Sequence, residues 1–114
     1  MKKKAALIVV ALLPFVSAKA DEYKAYEMPR THVVPISDSK ADRQYELYVK
    51  LPEDYGENTD TVYPVVYTTD AKWHMDMLSG ATEFLAPDVI LVGISWQIDL
   101  DDEREFISRF RDYS

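Results

Sequence analysis

One serine of the chain stands in a pattern close to that of a catalytic nucleophile. Ser95 follows an apolar run and comes two positions after Gly93, as in Gly-x-Ser-x-Gly, where a sharp turn presents a serine for acyl transfer. That turn is sterically tight and normally needs both glycines, but Gln97 occupies the place of the second one. We therefore expect Ser95 to be a strand-end residue in a loop and not a nucleophile.

The general base that a serine nucleophile requires is also missing. The chain has two histidines, His32 and His74. His32 lies in a strand pattern without an acidic or serine neighbour at a useful spacing. His74 lies beside Asp76, but a base there would precede any nucleophile, whereas hydrolases with a Gly-x-Ser-x-Gly turn use the order serine, acid, histidine. We expect a solvated or packed role for His32 and a capping or pocket-edge role for His74, and we predict no catalytic residue in this chain.

An acidic segment near the carboxyl end of the sequence has the composition of a cation site. It lacks the glycine and the terminal glutamate spacing of a calcium loop, so a solvated acidic face is the expected structure. Residues 103–105 and 109–112 are expected to form local ion pairs. We predict no metal and no cofactor. The acidic residues are Asp99, Asp101, Asp102 and Glu103.

Composition and the first twenty residues favour an exported protein. Lys2 to Lys4 precede a twelve-residue apolar run, and Ala18-Lys19-Ala20 has the small-x-small pattern of signal cleavage, so residues 1–20 are predicted to be a signal peptide cleaved after Ala20. The net charge of −7 becomes −11 without them, because they contain four lysines and no acidic residue. This charge excludes a nucleic-acid binder, and the apolar run is too short to span a membrane. We expect a periplasmic or secreted protein.

The elements that position these residues follow from the hydrophobic pattern. Residues 21–30 form a polar lead-in, and residues 31–51 are predicted to be an antiparallel hairpin, since residues 43–51 alternate as a half-buried strand does. The runs 62–68 and 88–94 are continuously apolar, which is typical of strands buried on both faces. A helix over 73–85 connects them, so the sequence predicts one βαβ unit.

This set of elements predicts an incomplete α/β domain. Strands buried on both faces need helices on both faces of the sheet, but only one good helix is predicted, and the charged segment after Asp99 is at most the start of another. One sheet face and one strand edge are left uncovered, which allows self-association through that edge.

Four stretches of the sequence, in order, resemble a known family of esterases. They are Arg43–Tyr55, Tyr63–Asp70, Val89–Ile94 and Arg111–Ser114. The family includes esterase D and the enterochelin and other siderophore esterases. In order, the four stretches resemble its second strand, an apolar run that starts with Tyr-Pro and ends in aspartate, the next parallel strand, and a segment with the sequence Arg-Asp-Tyr-Thr/Ser-Pro. The resemblance covers residues 31–114 and implies the N-terminal portion of an α/β-hydrolase sheet, a hairpin followed by one βαβ unit.

The resemblance also implies where a site would lie. In this family a backbone N–H just beyond an Asp-Gly turn helps to form the oxyanion hole, and here Asp70 is followed by Ala71 and Lys72. The N–H of Ala71 or Lys72 is therefore the oxyanion-hole candidate; the alternative is an ordinary strand-to-helix turn capped by Asp70. The family places pocket residues in the loops above the sheet. The corresponding pocket candidates are Trp73, Ser95 and Trp96, of which Trp96 walls an acyl or aryl pocket or else covers the edge of the core.

The function implied is that of a truncated serine carboxylic-ester hydrolase. The family's nucleophile and triad lie beyond the part that this chain matches, so an intact relative would hydrolyse a small-molecule ester and this chain alone would be inactive. One alternative is a small non-catalytic secreted module that binds a glycan or a protein through aromatic side chains. Another is a fragment that pairs with a separately encoded remainder.

Overall fold

The computed structural model describes residues 23–114, so the predicted signal peptide at residues 1–20 lies outside the described residues. Residues 23–30, most of the predicted lead-in, form no helix or strand. No helix of residues 23–114 has the length and apolar character that crossing a membrane requires. The elements are β1 (Thr31–Asp38), β2 (Arg43–Lys50), β3 (Val65–Thr68), α1 (Ala71–Leu85), β4 (Ile90–Ile94) and α2 (Asp102–Asp112).

The strands form one four-stranded sheet in the order β1-β2-β4-β3. β1 and β2 are antiparallel neighbours, with Thr31 opposite Lys50 and Asp38 opposite Arg43, which confirms the predicted hairpin. β3 and β4 are parallel and are connected through α1, which confirms the βαβ unit. β2 joins the two parts because it pairs antiparallel with β4. The predicted α/β class is therefore confirmed.

The prediction that both apolar runs are buried on two faces is wrong for β3. The ordered strand begins at Val65, not at Val62, and Val65, Val66 and Tyr67 are all exposed. β3 forms the edge of the sheet and pairs with β4 alone, so its other edge faces no strand of the described chain. β4 lies between two strands, and there Leu91 and Val92 are buried. The same kind of apolar run thus has opposite burial at the edge and at the centre.

The core lies between α1 and the middle strands. Ala71 and Met75 of α1 pack with Leu91 of β4, and the partly buried Tyr48 and Leu78 pack against this cluster. Tyr48 pairs with Gly93, which is two residues from Leu91 in β4. Residues two apart in a strand share a face of the sheet, so Tyr48 lies on the same face as Leu91. Burial, together with a hydrogen bond to Glu46, raises the pKa of its phenol to about 12.

Candidate functional site

The predicted site residues come together at the carboxyl ends of β3 and β4. The two strands are parallel, so the turn from β3 into α1 and the loop after β4 lie at the same edge of the sheet. In open α/β sheets ligands bind outside the carboxyl ends of the strands. Trp73, at the start of α1, contacts Trp96, in the loop after β4, with ring centroids 4.9 Å apart.

The turn into α1 approaches β4 closely because residue 93 is glycine. A Cβ added at Gly93 would lie 2.7 Å from the Cβ of Ala71 and 3.2 Å from the sulfur of Met75. Non-bonded Cβ atoms do not approach each other to 2.7 Å, so the surrounding structure would have to shift. Gly93 therefore has a packing role here, separate from the Gly-x-Ser-x-Gly pattern in which it stands.

The first backbone donors of α1 are available at this turn. The N–H of Trp73 donates to the carbonyl of Asp70 at 2.9 Å, whereas no acceptor within residues 23–114 receives the N–H of Ala71 or Lys72. The first N–H groups of a helix point outward from its end and carry partial positive charge, so they can stabilise an anion. This is the geometry that an oxyanion hole uses. The oxyanion role of Ala71 and Lys72 stays a prediction.

Asp70 adopts an unusual conformation and has an unexpected partner. It occupies the N-cap position of α1 and lies at φ 55°, ψ 41°, in the left-handed region, but its side chain makes no capping hydrogen bond to the helix, so a side-chain cap is the part of the alternative that is wrong. Its carboxylate instead accepts two hydrogen bonds from Arg109 of α2, at 2.9 Å from Nε and 2.5 Å from Nη2. This contact holds the pKa of Asp70 below its usual value, although burial opposes the shift.

Arg109 contacts the candidate oxyanion turn through Asp70, and no local pattern in the sequence indicates this contact. It is 39 residues away from Asp70, and local ion pairs were expected for residues 109–112. That expectation is correct for Arg111, which pairs with Asp112, and wrong for Arg109. Glu105 likewise pairs with Lys72 of α1 and not with a neighbour in its own helix. Long-range pairs of this kind depend on how α2 lies on the turn, which no local spacing encodes.

The hydroxyl of Ser95 is used within the sheet. Ser95 is buried; its Oγ accepts the N–H of Glu46 at 2.8 Å and donates to the carbonyl of Trp96 at 2.7 Å. With both contacts to the backbone, this hydroxyl links the middle of β2 to the loop directly after β4. Neither histidine hydrogen-bonds a serine within residues 23–114: His74 lies beside Trp73, and His32 lies in β1. The assignment of Ser95 to a pocket stays a prediction.

An aromatic cluster borders the turn. Trp96 is only 4% exposed, and its indole N–H has no acceptor in the described part of the chain. Trp73 covers it and is 49% exposed. Trp73 also contacts Phe106 of α2, with 5.6 Å between the ring centroids, and the guanidinium of Arg109 lies 5.1 Å from the Trp73 ring centre. Phe110 lies beside Phe106, with ring centroids 6.0 Å apart, and the rings of Trp73, Trp96, Phe106 and Phe110 form an open aromatic wall at the carboxyl ends of the strands.

The acidic segment has structural partners. Asp101 caps α2 by accepting the N–H of Arg104 at 3.0 Å, and Asp99 accepts the N–H of Gln44 at 3.1 Å. Within residues 23–114 no three histidine, cysteine or acidic side chains are grouped so that they could hold a metal ion. These carboxylates position α2 and the loop before it.

Comparison with known proteins gives matches among solved structures only. No protein-family model and no curated protein matches the chain. An IroE-like serine hydrolase from Shewanella oneidensis is similar over 56% of this chain and 22% of its own, with 28% identity and a TM-score of 0.51. The BES protein from Bacillus cereus is similar over 69% of this chain and 32% of its own, with 17% identity and a TM-score of 0.57.

Both similar structures are much longer than the matched part, since this chain spans 22% and 32% of them. The four-stranded sheet with its two helices therefore has a hydrolase-like α/β fold and corresponds in extent to a fraction of those molecules.

Proposed function

We propose that this chain forms the first part of an exported serine ester hydrolase. The observation that carries the proposal is the 28% identity of the chain to a serine hydrolase of similar fold. Two N–H groups without an acceptor among the described residues lie at the carboxyl ends of the strands, where such a site would be expected. The resemblance of residues 31–114 to esterase D and its relatives supports the same reaction. Export, with cleavage after Ala20, rests on the signal-peptide pattern.

The chain would contribute the oxyanion donors and one wall of the pocket. Acyl transfer needs a serine, a base within hydrogen-bond reach and donors for the oxyanion. Ala71 and Lys72 would offer backbone N–H groups, and Trp73 with Trp96 would border the acyl or alcohol part of a carboxylic ester. The serine, acid and histidine would come from a part of the enzyme outside this sequence, without a metal or cofactor.

An ester assay tests whether any of this chemistry resides in the chain itself. We expect the 114-residue chain to hydrolyse a p-nitrophenyl ester at the background rate, because the hydroxyl of Ser95 is engaged with the backbone and no histidine of residues 23–114 hydrogen-bonds it. The matched control is Ser95→Ala, which should leave that rate unchanged. Saturable turnover that Ser95→Ala abolishes would show that the chain contains its own nucleophile and would overturn the proposal.

A second candidate is a non-catalytic secreted module, which the exposed aromatic wall favours. Trp73, Phe106 and Phe110 are 49%, 40% and 60% exposed, and exposed aromatic side chains are typical of binding surfaces. This candidate requires a chain that folds cooperatively and stays monomeric by itself. The fragment proposal requires a chain that self-associates through its uncovered sheet edge. Sedimentation and calorimetry of the chain distinguish the two.

A further inference from the structure

A forked contact between Arg109 and Asp70 helps to fasten helix α2 to the turn between β3 and α1. Arg109 binds both carboxylate oxygens of Asp70, and the two side chains are only 23% and 12% exposed. A two-point contact between guanidinium and carboxylate fixes orientation as well as distance. Removing one partner at this degree of burial leaves the other charge poorly compensated. The contact therefore constrains Asp70 strongly.

The orientation of Arg109 is itself fixed by the aromatic wall. Its guanidinium lies 5.1 Å from the ring centre of Trp73, 5.7 Å from that of Phe106 and 5.3 Å from that of Phe110. A planar guanidinium can stack on rings and bind a carboxylate at the same time, whereas the point charge of a lysine cannot reproduce both contacts. Nε and Nη2 of Arg109 both donate to the carboxylate of Asp70, so Arg109 acts on the turn through that residue.

The backbone of Asp70 needs such support. A left-handed conformation is unfavourable for a residue with a side chain, and it persists where surrounding contacts determine it. Tyr113, just beyond α2, adds a further restraint: its hydroxyl donates to the carbonyl of Ile94 at 3.1 Å and lies 3.5 Å from the N–H of Asp70. The side chain and the backbone of Asp70 are both held from the end of α2.

The dihedral angles of Asp70 set the direction of the donors that follow it. Ala71 and Lys72 are the first two residues of α1, and their N–H groups have no acceptor in the described chain. We infer that Arg109 is a positioning residue, which acts through Asp70 to hold the N–H groups of Ala71 and Lys72 in one orientation for an anionic oxygen. This inference rests on the proposed function, because it assigns a device to the same oxyanion turn.

Amide NMR of the full chain tests the inference. In Arg109→Gln and Asp70→Asn we expect the amide signals of Ala71 and Lys72 to shift more than any amide of β1; asparagine tolerates the left-handed conformation, so Asp70→Asn removes the charge without forbidding the turn. Arg109→Lys should shift them as well, because it keeps the charge and loses the fork. The matched control is Arg104→Gln, which breaks an exposed ion pair with Asp101 in the same helix and should leave both amides unchanged.

The amide of Leu91 in β4 reports whether each variant is folded. Unchanged amides of Ala71 and Lys72 in a folded Asp70→Asn or Arg109→Lys chain would overturn the inference, even where Arg109→Gln does not fold. Equal shifts in Arg104→Gln would also overturn it. The measurement needs no ester turnover, so a failure here leaves the proposed function standing, and a failure of the ester-hydrolase proposal leaves the role of Arg109 in the turn standing.

Discussion

Helix α1 packs on the sheet through apolar side chains, whereas helix α2 is attached through polar ones. α1 turns Ala71 and Met75 toward Leu91 in the core. α2 buries Glu105 and Ser108, and it leaves its apolar residues exposed. These exposed residues are Phe106, Ile107 and Phe110.

The difference separates two kinds of stability. Apolar burial is non-directional and independent of protonation, so the contact of α1 should survive changes of pH and salt. The attachment of α2 depends on matched partners, Arg109 with Asp70 and Glu105 with Lys72. It therefore specifies one arrangement of the turn, and it is lost when a partner loses its charge. The predictions below test each side of this comparison.

Truncating the central core residue should have the largest effect. Leu91 is 1% exposed, and Leu91→Ala should lower the free energy of unfolding by about 2–5 kcal/mol, because it removes buried contacts and leaves a cavity. Leu85→Ala is the matched control, since Leu85 of α1 is 84% exposed and its loss should change stability by less than about 0.5 kcal/mol. Urea denaturation measures both, and equal losses would show that the core does not lie where the structure has it.

A side chain at position 93 should destabilise the close contact between α1 and β4, and a smaller residue at position 71 should partly restore it. Gly93→Ala places a methyl group against Ala71, so we expect a loss of about 1–3 kcal/mol in the free energy of unfolding. Ala71→Gly opens that space, and the double variant should recover part of the loss. Urea denaturation of the two single variants and the double variant gives the coupling between the positions. Strictly additive effects would contradict the contact.

Acid should release α2 before it disturbs α1. Asp70 has a pKa lowered by Arg109, so its contribution to stability is fully present above the ordinary aspartate value near 3.8 and is lost as the pH falls through the lowered value. Trp73 and Trp96, the only tryptophans of the chain, lie beside this contact and report on it by fluorescence. We expect a change in emission below pH 4.

Asp70→Asn is the control for this titration, because it removes the ionisable group and leaves His74 in place. The acid step should be absent in that variant. An identical step in both chains would assign the change to another group and contradict the role of the ion pair.

The sequence predicts the individual elements well and their mutual contacts poorly. The alternation of apolar and polar residues over 43–51 predicts β2 to within one residue of its end, because this pattern is a local property of the sequence, although burial does not alternate along the strand itself. The sequence pattern predicts that α1 starts at Trp73, but the helix starts at Ala71, because Asp70 precedes it in a left-handed conformation that no capping pattern indicates. The exposure of β3 depends on its place at the sheet edge, which is a property of the assembled sheet.

The candidate site shows the same division. The resemblance indicates Ala71 and Lys72, which lie just beyond the carboxyl end of β3 and whose backbone N–H groups have no acceptor within residues 23–114. Helix α2 turns its polar side toward the protein and its apolar side toward solvent. Neither this orientation nor the contact of Arg109 with Asp70 follows from the sequence, because a helix with apolar residues on one side is expected to bury that side. Here the ion pairs with Asp70 and Lys72 reverse the expectation.

The most direct test is the isolation of the native gene product with an antibody against residues 23–114, followed by intact mass and labelling with a fluorophosphonate. The proposed function predicts a product of roughly 25–35 kDa, the size of a full hydrolase domain, labelled on a serine outside residues 23–114. An unlabelled product of about 11 kDa, the mass of this chain without its signal peptide, would contradict it.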